Sequence, residues 1–97
     1  LGWIIGNFEP NIMKSTEFEI GVKYYKKGER ESLHMQLKAT EITVVISGKI
    51  RIGQINLNPG EILVIPPNEQ ADFEAITDCA LVCIKSPSDP KDKVIIK

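Results

Sequence analysis

The sequence predicts an all-β domain, a small barrel or sandwich with little or no helix. Three observations carry that expectation. From Phe18 onward the chain reads as short runs rich in β-branched and aromatic residues. Glycine, proline and asparagine punctuate those runs at close spacing. No segment shows the 3.6-residue apolar period of an amphipathic helix.

Taken in order, eight strands are expected. Glu19–Lys26 (EIGVKYYK) is β-prone and stops at Lys27-Gly28-Glu29. Leu33–Leu37 alternates apolar and polar, and Glu41–Ser47 (EITVVIS) is strongly β-branched. Ser47-Gly48-Lys49 is a hairpin signal leading into Lys49–Ile52. Gly53-Gln54 turns the chain into Ile55–Leu57, and Asn58-Pro59-Gly60 turns it again. Ile62–Ile65 is apolar and is ended by Pro66-Pro67-Asn68. Ala71–Ala75 and Ala80–Lys85 complete the set, separated by Thr77-Asp78. Outside them lie an N-terminal arm, residues 1–17, and a polar C-terminal tail, residues 86–97. In the arm, Trp3–Gly6 is a candidate strand and Glu9-Pro10-Asn11 a turn. In the tail, Val94-Ile95-Ile96 is suited to pair as an edge strand or to dock on a partner, with disorder as the plain alternative.

Ninety-seven residues, 42% of them apolar, are enough for one domain with one core. No run of 18 or more apolar residues exists, so no membrane-spanning helix is expected. Trp3-Ile4-Ile5 is too short for a signal-peptide core and lacks a basic flank. The chain begins with Leu rather than Met, which predicts a few further residues upstream. Net charge is −1 with both signs interspersed, which argues against nucleic acid as a partner. Cys79 and Cys83 would face the same way on a strand, about 13 Å apart. That is too far for a disulfide, so they read as buried thiols in a reducing cytoplasm. A CxxxC metal clip is the alternative, with no third or fourth ligand near it in sequence.

Alternation within Glu41–Ser47 separates two faces. Glu41, Thr43, Val45 and Ser47 share one, and Ile42, Val44 and Ile46 the other. With the first face lining a barrel, the second is an apolar outer strip. The segment Trp3–Phe8 could cover it, or a second subunit; the strip and the short chain favour a homodimer.

One stretch concentrates the chemistry. Gly28 is followed by five residues and then His34, the chain's single histidine. Gln36 stands two positions on, then Glu41, then Gly48. Later, Gly60 is followed by EILVI and Pro66, with Ala71 and Phe73 beyond. This spacing resembles the two motifs of the cupin superfamily, in which a glycine precedes a His-x-His pair, a glutamate and a second glycine. The second motif runs from glycine through proline to a further histidine. Gln36 stands at the second histidine position, Ala71 at the last one, and Asn68 at a glycine position. The resemblance covers residues 28–73 and implies a double-stranded β-helix, the RmlC-like cupin jelly-roll barrel, with its site inside. Small single-domain cupins of unassigned activity are the most similar.

His34 and Gln36 are i and i+2 on a strand, so they share a face that Glu41 can reach from the next strand. The resemblance implies a divalent metal, Fe, Mn, Ni or Zn, held by His34, Glu41 and the carbonyl oxygen of Gln36. The same three residues also make a hydrogen-bonded polar cluster. The expected function is therefore to bind a small polar metabolite in the barrel without a firmly held metal. His34, Gln36, Glu41 and Thr43 would supply hydrogen bonds, and Val45 and Phe73 apolar walls. Two enzymatic alternatives stand beside it: a metal-dependent dioxygenase or isomerase using His34 and Glu41, and a metal-free sugar isomerase or epimerase. In the latter, His34 with Glu41 would be the base and Tyr24 or Tyr25 the acid, while Lys23, Lys38, Arg30 or Arg51 would bind phosphate. The tyrosines also fit as plain strand residues and the cations as a solvated surface. A non-catalytic accessory subunit, acting through its apolar strip, is a further alternative.

Overall fold

The computed structural model describes residues 2–97 and is built from strands throughout. Eleven strands form: β1 (Trp3–Gly6), β2 (Met13–Lys14), β3 (Glu19–Tyr25), β4 (Arg30–Gln36), β5 (Thr40–Ser47), β6 (Ile50–Ile52), β7 (Ile55–Leu57), β8 (Ile62–Ile65), β9 (Ala71–Ala75), β10 (Cys79–Ser86) and β11 (Lys93–Ile95). One sheet has the order β2-β1-β3-β10-β5-β8 and the other β11-β4-β9-β6-β7. The two sheets enclose a core in which Val45, Ile50 and Ala75 are at most 1% exposed, with Phe73, Leu81, Cys79 and Cys83 packed against them.

The eight expected strands are all present, Ile55–Leu57, Ile62–Ile65 and Ala71–Ala75 with the expected ends and the other five with shifted ones. The largest shift is in β4, which starts at Arg30 rather than Leu33. The cause is a register break between Glu31 and His34 in the pairing of β4 with β9. A bulge there breaks the alternation that sequence patterning relies on. The arm and the tail are built into the sheets. β1 pairs with β3, and β11 pairs with β4 through Val94↔Met35 and Ile95↔His34. Asp92 anchors this return, accepting from the amides of Lys38 at 2.8 Å and Ala39 at 2.9 Å.

Turn chemistry positions the strands. Gly48, between β5 and β6, has φ +77°, and an added Cβ would lie 2.8 Å from Cys79 Cβ. Asn68 adopts φ +67°, a left-handed conformation that asparagine tolerates better than most residues. This explains its standing where the similar motif has glycine. Its amide donates to the Gln36 carbonyl at 2.7 Å, tying the β8–β9 turn to the end of β4.

Candidate functional site

Between the sheets lies a cavity of about 40 Å³. That is room for a few waters or a ligand of few heavy atoms. His34 and Glu31 reach it from β4, Glu41 and Thr43 from β5, and Ala71 and Phe73 from β9. Lys23 and Tyr25 reach it from β3, and Cys83 and Lys85 from β10. Glu41 and Lys85 are register partners across β5 and β10, which sets their side chains beside each other on the inner face. Their charged groups lie 4.0 Å apart, and each side chain is only 13% exposed.

A second pair bridges the sheets. Glu31 on β4 stands 3.9 Å from Lys23 on β3 and accepts from the Tyr25 hydroxyl. Tyr25 also packs its ring on Phe73, with centroids 4.5 Å apart. Burial pushes the Tyr25 hydroxyl well above its ordinary range, and the bond to Glu31 adds to this. Burial alone would raise Glu31, but the Tyr25 hydroxyl and the Lys23 ammonium more than offset it and hold the carboxyl below its usual value.

His34 Nδ1 lies 2.7 Å from the carbonyl oxygen of Ser32. A carbonyl only accepts, so Nδ1 carries a proton, and in the neutral ring Nε2 is the acceptor. His34 is thus oriented by backbone rather than by Glu41, whose nearest charged partner is Lys85.

Of the residues singled out from sequence, His34, Glu41, Thr43, Phe73 and Ala71 share this cavity. Ala71 is the register partner of His34. Gln36 does not join them. It lies two residues further along β4, about 7 Å on, and lines an adjoining chamber instead. Val45 sits in the core rather than on the cavity wall. Tyr24 is 77% exposed, whereas Tyr25 is in the site. Lys23 lines the cavity, which corrects its reading as a surface cation. Arg30, Lys38 and Arg51 do not line it: Arg30 is tied to Glu74 at 3.3 Å, Lys38 to Asp89 at 3.4 Å, and Arg51 to Asp72, itself on the cavity wall, at 3.0 Å. Glu31 and Lys85 were missed. Lys85 was within reach, because alternation on β10 puts it on the face of Cys79 and Cys83. Glu31 was not, because the bulge hides its phase.

The donor set does not fit a firmly held transition metal. Such a site takes three or four ligands of the His, Cys and carboxylate kind. Here Ala71 offers no donor, Gln36 is in another chamber, and each cavity glutamate already has a lysine ammonium beside it. Among the described residues, no three His, Cys, Asp or Glu side chains gather as a metal-binding group. The thiols are equally unsuited. Cys79 and Cys83 are free and buried, and burial pushes the Cys83 thiol up to about 12, with the Glu41 charge as the second cause.

No protein-family model matches the chain, and no curated protein matches it. Solved structures do. KdgF from Halomonas sp. superposes with a TM-score of 0.72 at 18% identity, over 77% of this chain and 74% of that one. A conserved protein with a double-stranded β-helix domain from Klebsiella pneumoniae gives 0.73 at 16%, over 86% and 77%. An RmlC-like cupin from Desulfovibrio desulfuricans gives 0.68 at 24%, over 75% and 74%. Two sheets, antiparallel except for the β1–β2 pair, closed around an inner cavity and superposing on these structures, give this chain the fold of a small cupin, the double-stranded β-helix.

Proposed function

We propose that the protein binds a small hydroxylated carboxylate in the barrel, without a firmly held metal. The observation that carries this reading is the pair of lysine–glutamate contacts inside one small cavity, Lys85–Glu41 and Lys23–Glu31. Ion pairs partly removed from water, Lys85–Glu41 more so than Lys23–Glu31, add little to stability on balance, since desolvation offsets much of their attraction. They are well suited to recognition. The ammonium groups present donors to a carboxylate, while Glu31, Glu41 and His34 Nε2 accept from a hydroxyl. Phe73 and Ile65 close the cavity with apolar surface, and its volume limits the ligand to a few heavy atoms.

Metal-free proton transfer is less well supported. Tyr25 would be the acid, but its proton is directed to Glu31 and held far above neutral pH, where it is a poor proton donor. The same reading pairs the protein with a second copy of itself through the outer face of the β5–β8 edge of the larger sheet, where Ile46, Ile62 and Val64 are 56%, 61% and 56% exposed.

Thermal shift with a panel of mono- and dicarboxylates in the presence of chelator tests the ligand. A hydroxylated carboxylate is expected to raise the melting midpoint, and Lys85→Met to lose that rise. No response to any carboxylate, with a transition metal retained near one per chain through purification, would sink the proposal.

A further inference from the structure

The central cavity has a charged end and an apolar end. Lys23, Lys85 and Lys93 line both the cavity and the chamber of Gln36, which marks the charged end. The two ion pairs, Lys85–Glu41 and Lys23–Glu31, belong to it. Ile52, Ile65, Ala71 and Asp72 instead line both the cavity and a groove of about 510 Å³. No described residue lines both the chamber and the groove, so the cavity lies between them. A ligand in the cavity is therefore oriented. Its charged group faces the lysines, and its apolar part faces Ile52 and Ile65.

The groove continues the apolar end. Leu33 from β4, Ile55 from β7 and Leu63 from β8 line it, and Leu33 and Ile55 are 38% and 47% exposed. Ala71 stands at the junction, opposite His34 in register, and its side chain ends at Cβ. A histidine at this position would stand between cavity and groove. The polar groups at the junction satisfy one another. Arg51 donates to Asp72 at 3.0 and 3.2 Å and to the Gly53 carbonyl at 2.6 Å. The Gly53 amide donates back to the Asp72 carbonyl at 3.0 Å. These bonds hold the β6–β7 turn against β9 and leave no unmet charge where the groove begins. Glu69, exposed on the rim, disfavours a second carboxylate further along. The cavity itself holds only a few heavy atoms, so a longer chain leaves it through this end.

We infer that the groove takes the apolar chain of the ligand whose carboxylate and hydroxyl occupy the cavity. The ligand class is then a straight-chain hydroxy acid of several carbons, rather than a sugar acid or a dicarboxylate. The inference rests on the carboxylate reading proposed above and adds the part of the ligand that lies beyond Ala71.

Calorimetric titration of the full chain with straight-chain α-hydroxy acids, from lactate to α-hydroxyhexanoate, is the test. Affinity is expected to rise about threefold for each added methylene, a little less than full burial gives, because the groove is open to water on one side. Hexanol, which has the chain without the carboxylate, should bind roughly tenfold more weakly than α-hydroxyhexanoate, or worse. Ile55→Ser, at a half-exposed position outside the cavity, should bind lactate as the wild type does. It should lose about fivefold in affinity for α-hydroxyhexanoate. Leu33→Ser makes the same test from β4 should Ile55→Ser fail to fold. A flat series in which lactate still binds overturns this inference and leaves the carboxylate reading standing. No binding of any acid removes the carboxylate reading, and this inference with it. Hexanol binding as tightly as α-hydroxyhexanoate overturns the inference, because the groove would then act without the cavity. So does a changed oligomeric state of Ile55→Ser with an unchanged series, which assigns the groove to a second copy of the chain.

Discussion

Cys83 faces the cavity from β10 with 4% of its surface exposed. Its thiol is pushed from 9.0 to about 12, chiefly by burial. A group whose folded-state pKa is raised stabilises the fold below its unfolded value and loses that contribution as pH rises. Above about pH 9 the unfolded chain sheds this proton and the folded chain keeps it, so stability falls with pH. Tyr25, also raised by burial, steepens the fall above pH 10. Cys83→Val fills a similar volume without titrating. Urea midpoints measured between pH 8 and 11 should decline less steeply in Cys83→Val than in the wild type, and identical slopes would refute the assignment. Sequence reading had paired Cys79 and Cys83 on one strand face and excluded a disulfide between them, and both are free and buried there. The period-2 rule sufficed because β10 is regular from Cys79 to Lys85 on its β3 side. Glu31 shows where that rule fails, because the bulge in β4 turns both Glu31 and His34 inward three residues apart.

At the scale of the element, the turns are the most legible feature. Gly48 and Gly53 both adopt positive φ, at +77° and +57°, but they differ in surroundings. A Cβ on Gly53 meets open space, while one on Gly48 is driven onto the β9–β10 turn at Asp78 and Cys79. That turn is bonded to the hairpin through the Lys49 amide, which donates to Thr77 Oγ1 at 3.0 Å. Gly53→Ala should therefore cost only its backbone conformation, about 1 kcal/mol. Gly48→Ala should cost about 3 kcal/mol or more, because steric displacement adds to the backbone term. Urea denaturation of the two variants measures the difference, and equal costs would show that the contact with the β9–β10 turn is unimportant. In the tail, the edge-strand alternative for Val94-Ile95-Ile96 is the one the structure takes, over Lys93–Ile95. Its β11 strand forms only because β4 presents an unpaired edge and Asp92 secures the approach, neither of which a short polar stretch announces.

Across the whole molecule, register aligns the outward residues of the larger sheet into two apolar rows. Ile62, Val44, Val82 and Val22 form one, and Val64, Ile42, Ile84 and Ile20 the other. The alternation of Glu41–Ser47 had pointed to this strip. The arm does not cover it. β1 joins the sheet edge beyond β3, on the far side from β5 and β8. An apolar face of this extent is unusual on a monomer, and a second copy related by a two-fold axis would bury it symmetrically. Ile62→Glu puts a charge at the β8 end of this strip, on its most exposed residue. The wild type is expected to elute as a dimer in size-exclusion chromatography with light scattering, and Ile62→Glu as a folded monomer. A wild-type monomer at high concentration would disprove the pairing.

The sequence by itself determined the fold, because turn glycines, prolines and strand alternation act locally. Gly28, Gly48, Gly60 and Pro66 stand where the barrel requires them whatever fills it. It also determined that His34 and Glu41 would meet beside Phe73 and Ala71, since those positions follow from the barrel's register. Only the tertiary structure decided the character of the site. Lys85 meets Glu41 because β10 pairs with β5, 44 positions along the chain. Glu31 reaches Lys23 and Tyr25 because one sheet faces the other. Gln36 lies in a separate chamber because the end of β4 runs past the cavity to meet β11. These are contacts between distant strands, and no local pattern encodes them. They turn a framework suited to a metal into a cavity of paired charges.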